Sequence, residues 1–153
     1  LRPSAPYGRR LPQHQPRHKE SFHTLAELVR RLPLVPVIGD GKYRRQPIHV
    51  DDFSRAMLHF IEQGLPDKAY DAGGAEALTM DEIVGTIAEA MHRHVRPLHL
   101  PKALFVQIAR RSPDFDPELI AAADEDEVAD PTELSRAIGW TPRSFHAGAR
   151  DLS

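Results

Sequence analysis

The 153-residue chain has no cysteine. Disulfide bonds and thiolate chemistry are therefore excluded, and a reducing compartment such as the cytoplasm fits. No apolar run reaches the length of a membrane span, and no signal peptide is visible. An excess of either charge is also lacking: 20 Lys and Arg stand against 22 Asp and Glu. That balance gives no global pull toward nucleic acid. A G-x-S-x-G elbow is absent, which removes the usual signature of a serine hydrolase. Aromatic residues make up 7%, with one tryptophan, so Trp140 is a single built-in fluorescence probe. The length is that of one domain and allows a real core. The first residue is Leu1 rather than Met, which reads as a piece of a longer protein.

What is present centres on Val37–Phe60, VIGDGKYRRQPIHVDDFSRAMLHF. Gly39-Asp40-Gly41 is a turn signal, since these residues tolerate positive φ. Ile48, His49 and Val50 form a short β-type run. Asp51 or Asp52 suits an N-cap, because a short carboxylate accepts the orphan N–H groups of a first turn. Phe53, Ala56, Met57, Phe60 and Ile61 then recur at helical spacing and predict one apolar face. Lys42, Arg44 and Arg45 sit between turn and strand, placed to meet an anion. A guanidinium matches phosphate or carboxylate oxygens with a planar fork of donors. The other reading of the same residues is a solvated basic loop.

Elsewhere the chain reads as helices joined by short extended runs. Residues 9–19 are basic, Pro- and His-rich and without apolar periodicity, and read as a loop. Ser21 caps a helix with Phe22, Leu25, Leu28, Val29 and Leu32 on its buried stripe, and Pro33 stops it. Residues 34–38 are extended, and the helix after Asp52 ends at Gly64. Thr79 and Glu82 form a capping box for a helix that buries Ile83, Val84 and Ile87. Pro101 opens a helix carrying Leu104, Phe105 and Ile108. Residues 121–130 are Ala-rich and acidic, an exposed helix end or a solvated loop. Asp130-Pro131 starts a last helix, with Leu134 and Ile138 on its face and Gly139 at its end. No EF-hand spacing is present among the carboxylates. His92 and His94 are two apart and point in different directions, whereas His14 and His18 fall in a Pro-rich stretch, so no zinc set forms.

Several of these stretches resemble one family. Arg45-Gln46-Pro47-Ile48-His49-Val50-Asp51-Asp52 resembles the R-D-[FY]-[IV]-[HY]-V-x-D segment of extended short-chain dehydrogenases/reductases, the nucleotide-sugar epimerases and dehydratases. Gln46-Pro47, in place of Asp-aromatic, is closer to the atypical members related to an accessory subunit of respiratory complex I. Leu1-Arg2-Pro3 with Tyr7-Gly8 resembles L-R-P-x-x-x-Y-G, and Tyr70-Asp71-Ala72-Gly73-Gly74 resembles Y-[ND]-x-G-G. Residues 96–101 resemble the family's x-P-x-x-[LI]-P strand. Ile138-Gly139-Trp140-Thr141-Pro142, followed by Phe145 and Gly148, resembles its [LI]-G-[WF]-x-P ending, with Trp140 anchored in the core.

The resemblance implies an α/β fold, α+β for this stretch alone, as the C-terminal part of a Rossmann-type enzyme. Four to six helices are expected, with short strands near Leu1, Val37, Ile48, Tyr70 and Leu98. It implies that Arg45, with Arg44 and Tyr7, touches an anionic substrate such as a nucleotide-sugar. Pro3 and Ser4 would lie near the nicotinamide end of NAD or NADP. The family's Gly-rich dinucleotide turn has no match here. Its Tyr-x-x-x-Lys pair fails too: Tyr7, Tyr43 and Tyr70 are followed at that spacing by Leu11, Pro47 and Gly74. The expectation is therefore that residues 1–153 are a substrate-side portion, without cofactor or catalysis of its own. The dinucleotide-binding half would lie upstream, and the alternative parent is a non-catalytic NAD(P)H-binding assembly module. Uncovered sheet edges predict self-association or pairing with that half; no nucleic-acid or membrane partner is expected.

Overall fold

The computed structural model describes residues 1–9, 21–64, 67–110 and 124–152. The loop expected over residues 9–19, His14, His18 and residues 121–123 therefore fall wholly or largely outside the described residues. In chain order the elements are β1 (Arg2–Pro3), β2 (Pro6–Tyr7), α1 (Ser21–Arg31), β3 (Leu34–Ile38), β4 (Arg44–Arg45) and β5 (Ile48–His49). Then come α2 (Val50–Gln63), β6 (Asp71–Ala72), β7 (Leu78–Thr79), α3 (Met80–Ala90), β8 (Arg96–Leu100) and α4 (Lys102–Ala109). The chain closes with α5 (Thr132–Ile138), α6 (Phe145–Gly148) and a 3-10 turn (Ala149–Leu152). This is the mixed α/β architecture the sequence predicts, with strands at the expected places.

Three strand pairs are parallel, β1 with β6, β2 with β5 and β3 with β8, while β4 and β7 are antiparallel. Parallel strands need long crossovers, and the helices supply them. One core lies between α1, α3 and β3, where Val29, Val35, Ile83, Val84 and Ile87 are fully buried. A second forms where α2 meets β6 and α5, around Ile48, Ala56, Phe60, Ala72, Leu134 and Ile138. Trp140 packs half-buried against this second core.

Local signals act as their chemistry dictates. Thr79 Oγ1 accepts the Glu82 N–H at 3.2 Å, and Glu82 Oε2 accepts the Thr79 N–H at 2.8 Å. Gly139 ends α5 at φ 75°, a conformation that costs a side chain. Pro131, expected at the first helical position after an Asp130 cap, takes the cap position of α5 instead, so the helix starts one place later, and Asp130 Oδ1 accepts the Thr132 N–H at 2.9 Å.

Two expectations for α2 are corrected. Its N-cap is His49, not Asp51 or Asp52, because Nδ1 of His49 accepts the Asp51 N–H at 3.2 Å. Asp52 instead lies buried against Arg143, accepting from its backbone N, Nε and Nη2 at 2.9, 3.0 and 2.9 Å. That anchor rotates the helix so that 52, 56 and 60 face inward. Met57 and Ile61, expected inside, are 44% and 64% exposed. On α1 the stripe closes over Phe22, Ala26 and Val29, while Leu32 lies past the helix end and is exposed.

Candidate functional site

β4 holds the two arginines in a fixed frame. Gly39 and Gly41, at φ 65° and 70°, turn the chain, and Asp40 Oδ1 accepts the Lys42 N–H at 3.0 Å. One side of β4 pairs with β7. The other side carries the acidic segment: the Glu127 N–H donates to the Arg44 carbonyl at 2.8 Å, and Arg45 and Glu127 form a parallel bridge. The acidic stretch, expected as an exposed helix end or a solvated loop, is exposed at residues 125–128 and runs beside the edge of β4.

The side chains meet the same segment. The Arg44 N–H donates to Asp126 Oδ1 at 2.7 Å, while Nε and Nη2 reach Oδ2 at 3.1 and 3.0 Å. These bonds, the backbone one first, hold the Asp126 carboxyl below the usual aspartate range. Arg45 donates to the Glu125 carbonyl and to the Arg44 carbonyl. Its Nε lies 3.5 Å from Glu127 Oε2, and its guanidinium lies over the Tyr43 ring at 5.2 Å. The Arg45 side chain is 12% exposed and that of Arg44 54%, so only Arg44 presents a large open surface. Burial pushes the Tyr43 hydroxyl up to about 12 against the opposing pull of Arg45.

Pro3 and Ser4 come to the same place from the other side. The Ser4 N–H donates to the Ala72 carbonyl at 3.0 Å, and Ser4 Oγ donates to the Glu127 carbonyl at 3.3 Å. Here, beside the β1–β6 pair, an open recess of about 340 Å³ is lined by Arg2, Pro3, Ser4, Asp71 and residues 126–129. Arg2 is paired with Asp71 at 2.8 Å. The buried Gln46 ties the parts together: its Nε2 donates to the Gly74 carbonyl at 2.8 Å, and its Oε1 accepts the Ala129 N–H at 3.2 Å. A Cβ on Gly74 would lie 1.9 Å from the Pro47 carbonyl oxygen. The glycine pair is therefore accounted for by close packing.

Tyr7 lies elsewhere. It is 1% exposed and packed among Phe145, His49 and Phe22 at ring distances of 4.8, 5.1 and 5.7 Å. Its buried hydroxyl has no hydrogen-bond partner among the described residues, and burial raises its pKa well above the ordinary tyrosine value. His49 Nε2 lies 3.0 Å from Asp151 Oδ2. Nδ1 accepts at the α2 cap, so the proton sits on Nε2 and points at Asp151. His49, Asp51 and Asp151 have the composition of a metal set. Both ring nitrogens are already committed, however, which makes the group a clasp between α2 and the last turn.

The structure thus gathers Pro3, Ser4, Arg44 and Arg45 around residues 125–127 and leaves Tyr7 in the core. Gln46, His49, Asp126, Glu127 and Asp151 carry contacts the sequence reading did not assign. Their partners lie far away along the chain, 82 residues for Arg44 and Asp126 and 102 for His49 and Asp151, and no local pattern announces them.

Comparison with known proteins agrees with this architecture. Residues 1–73 match the NAD dependent epimerase/dehydratase family. A dTDP-glucose 4,6-dehydratase of Escherichia coli is 25% identical over 116 residues, covering 75% of this chain and 31% of that protein. Among solved structures, a UDP-glucose 4-epimerase of Thermotoga maritima with UDP-glucose superposes with TM-score 0.69 at 23% identity, over 99% of this chain and 43% of that one. A dTDP-glucose 4,6-dehydratase of Bacillus anthracis in complex with NAD gives 0.67 at 19%, over 99% and 42%. The chain spans about a third of the length of the curated relatives it matches, 31% for the Escherichia coli enzyme. With the motifs of β1, β5, β6 and the α5 ending in the expected order, the chain is similar to the NAD dependent epimerase/dehydratase family, whose model matches residues 1–73.

Proposed function

We propose that residues 1–153 are the substrate-side portion of an NAD(P)-dependent nucleotide-sugar epimerase or dehydratase, not catalytic alone. A dinucleotide-binding half would lie outside them. The observation that carries this reading is the Arg44–Arg45 pair on β4, joined through residues 126–127 to the recess beside β1 and β6. A guanidinium held by strand and ring contacts is pre-organised for a diphosphate. In this reading Arg45 grips the anionic group and Arg44 adds charge at the open side. Tyr7 supports the site from the core without touching the ligand.

The relatives named above include an epimerase with UDP-glucose and a dehydratase with NAD, and those ligands are the ones proposed for the parent of this chain. The recess does not fit a whole dinucleotide. Asp71, Asp126 and Glu127 line it, and the Ser4 hydroxyl already bonds the Glu127 carbonyl. A pyrophosphate wants amide donors and cations instead. Pro3 and Ser4 would wall the nicotinamide end at most, and holding NAD or NADP falls to the other half.

The faces of α2 support a missing partner. Val50, Met57, Leu58 and Ile61 form a second apolar stripe, 39–64% exposed, opposite the buried one. A helix apolar on two sides is normally covered on both, and the parallel pair β1–β6 has no third strand among the described residues. Covering by the other half answers both features. The test is calorimetric titration of the chain with UDP, beside a hydride-transfer assay with NAD and UDP-glucose. UDP should bind, Arg45→Gln should weaken it about tenfold or more, and no reduced nicotinamide should form. UDP affinity unchanged in a folded Arg45→Gln chain would overturn the grip, and turnover by the chain alone would overturn the half-enzyme reading.

A further inference from the structure

We propose that residues 124–127 act as a built-in competitor for the arginine pair, a strap whose carboxylates occupy the positions an entering diphosphate would take. The inference rests on the reading of Arg45 as an anion grip and adds its regulation.

Three observations carry it. First, the strap is docked on β4 through an isolated β-bridge, with the Glu127 N–H on the Arg44 carbonyl at 2.8 Å and parallel pairing of Glu127 with Arg45. It therefore has a defined seat. Second, its charges are the ligands of the arginines. Asp126 accepts from three Arg44 donors, Glu127 lies 3.5 Å from Arg45 Nε, and Asp124 pairs with Lys102 at 2.6 Å. A diphosphate would use the same nitrogens through the same fork geometry. Third, the pairing is open to exchange. The Asp126 and Glu127 side chains are 48% and 57% exposed, and exposed ion pairs hold weakly. The seat is thus made by the Glu127–Arg44 backbone bond, by side-chain bonds from Arg45 and Ser4 to the Glu125 and Glu127 carbonyls, and by a set of solvent-accessible ion pairs, and the ion pairs are the part a polyanion can displace.

Displacement has a direction that can be read. A diphosphate that takes the arginines frees Glu127 from β4 and Asp126 from the Arg44 amide. The Asp126 carboxyl lies below the usual aspartate range because of the Arg44 bonds. Near neutral pH Asp126 therefore stays charged, and its release follows ligand rather than protons. The carboxylates also set a threshold: a singly charged anion meets the same repulsion with less to gain, so the site favours ligands of higher charge.

The experiment is calorimetric titration of the full chain with inorganic pyrophosphate, together with amide hydrogen exchange. The double variant Asp126→Asn/Glu127→Gln should bind pyrophosphate at least about fivefold more tightly, the lower end of ordinary coupling between competing groups. In the unmodified chain, pyrophosphate should speed exchange at the Glu127 and Arg44 amides. Equal or weaker binding by the double variant, or slower exchange at those amides, overturns the strap. Adding Arg45→Gln to the double variant separates the two readings: if pyrophosphate affinity then does not fall, the grip itself is wrong. Arg44→Gln, at an exposed side chain, serves as the second probe if Arg45→Gln impairs folding, with far-UV circular dichroism as the fold check.

Discussion

Gly148 lies against the back of Tyr7, and replacing it with alanine tests how the aromatic core is fenced. A methyl there would lie 2.2 Å from Tyr7 Oη, 3.0 Å from its Cζ and 3.1 Å from His49 Cδ2. Phe22 and Phe145 pack on the same ring, so Tyr7 has little room to retreat. Overpacking of this kind costs about 1–3 kcal/mol, and the upper part applies when rigid rings block relaxation. The gain of alanine over glycine at a helix end offsets at most about 1 kcal/mol. Gly148→Ala should therefore lose about 2 kcal/mol. Tyr7→Phe removes a buried hydroxyl without a partner among the described residues, a group whose burial costs about 1–3 kcal/mol, so it should be neutral or stabilising by up to about 1 kcal/mol. In the double variant the oxygen is gone and the closest ring atom is the carbon at 3.0 Å. The cost of Gly148→Ala should then fall to about 1 kcal/mol, a coupling of about 1 kcal/mol or more. Urea unfolding followed by Trp140 fluorescence and by far-UV circular dichroism gives all four corners of the cycle. Coincidence of the two probes checks two-state behaviour. Additivity of the two substitutions, or a loss above about 1 kcal/mol for Tyr7→Phe alone, would refute the reasoning.

Asp52→Asn should cost about 2–3 kcal/mol in the same assay. Breaking a buried pair costs about 3–5 kcal/mol, and the figure is discounted because the Arg143 side chain is 37% exposed; a loss below about 0.5 kcal/mol would contradict the anchor. Thr79→Ala should cost about 1 kcal/mol by removing the cap of α3, and an unchanged urea midpoint would mean the box contributes nothing. The Thr79 amide, then its hydroxyl, holds the Glu82 carboxyl below its ordinary 4.5. Its contribution is complete above that value and is lost as pH falls through the lowered one. The stability gap between the unmodified chain and Glu82→Gln should thus be flat near neutral pH and shrink only in acid. A gap that widens on acidification would reverse the sign.

Much of the fold was legible where one short segment decides its own structure. Thr79 and Glu82 need only three residues of spacing to cap α3, and Gly139 needs only its missing side chain. The face of α2 was not legible, because Val50, Phe53, Ala56, Met57, Phe60 and Ile61 supply apolar groups on two sides. Which side turns inward depends on Asp52 reaching Arg143, 91 positions away. The same holds for the site. Arg44 and Arg45 stand out as a pair of cations beside a turn, yet their carboxylate partners lie in a segment that reads by composition as solvated. Charge patterning shows that ions are present, and only the chain path shows which ones meet.

The clasp formed by Arg9, His49 and Asp151 has a consequence for the order of events during synthesis. Arg9 Nη2 lies 3.3 Å from Asp151 Oδ1 across 142 positions of chain, and His49 reaches the same carboxylate. At roughly 5–20 residues per second, a ribosome needs about 7–28 s to travel from one to the other. Throughout that interval β2 and the His49 end of α2 lack their closing partner, and the buried ring of Tyr7 lacks Phe145 and Gly148 behind it. The nascent chain therefore carries an apolar surface that nothing local can hide until residues 145–151 emerge.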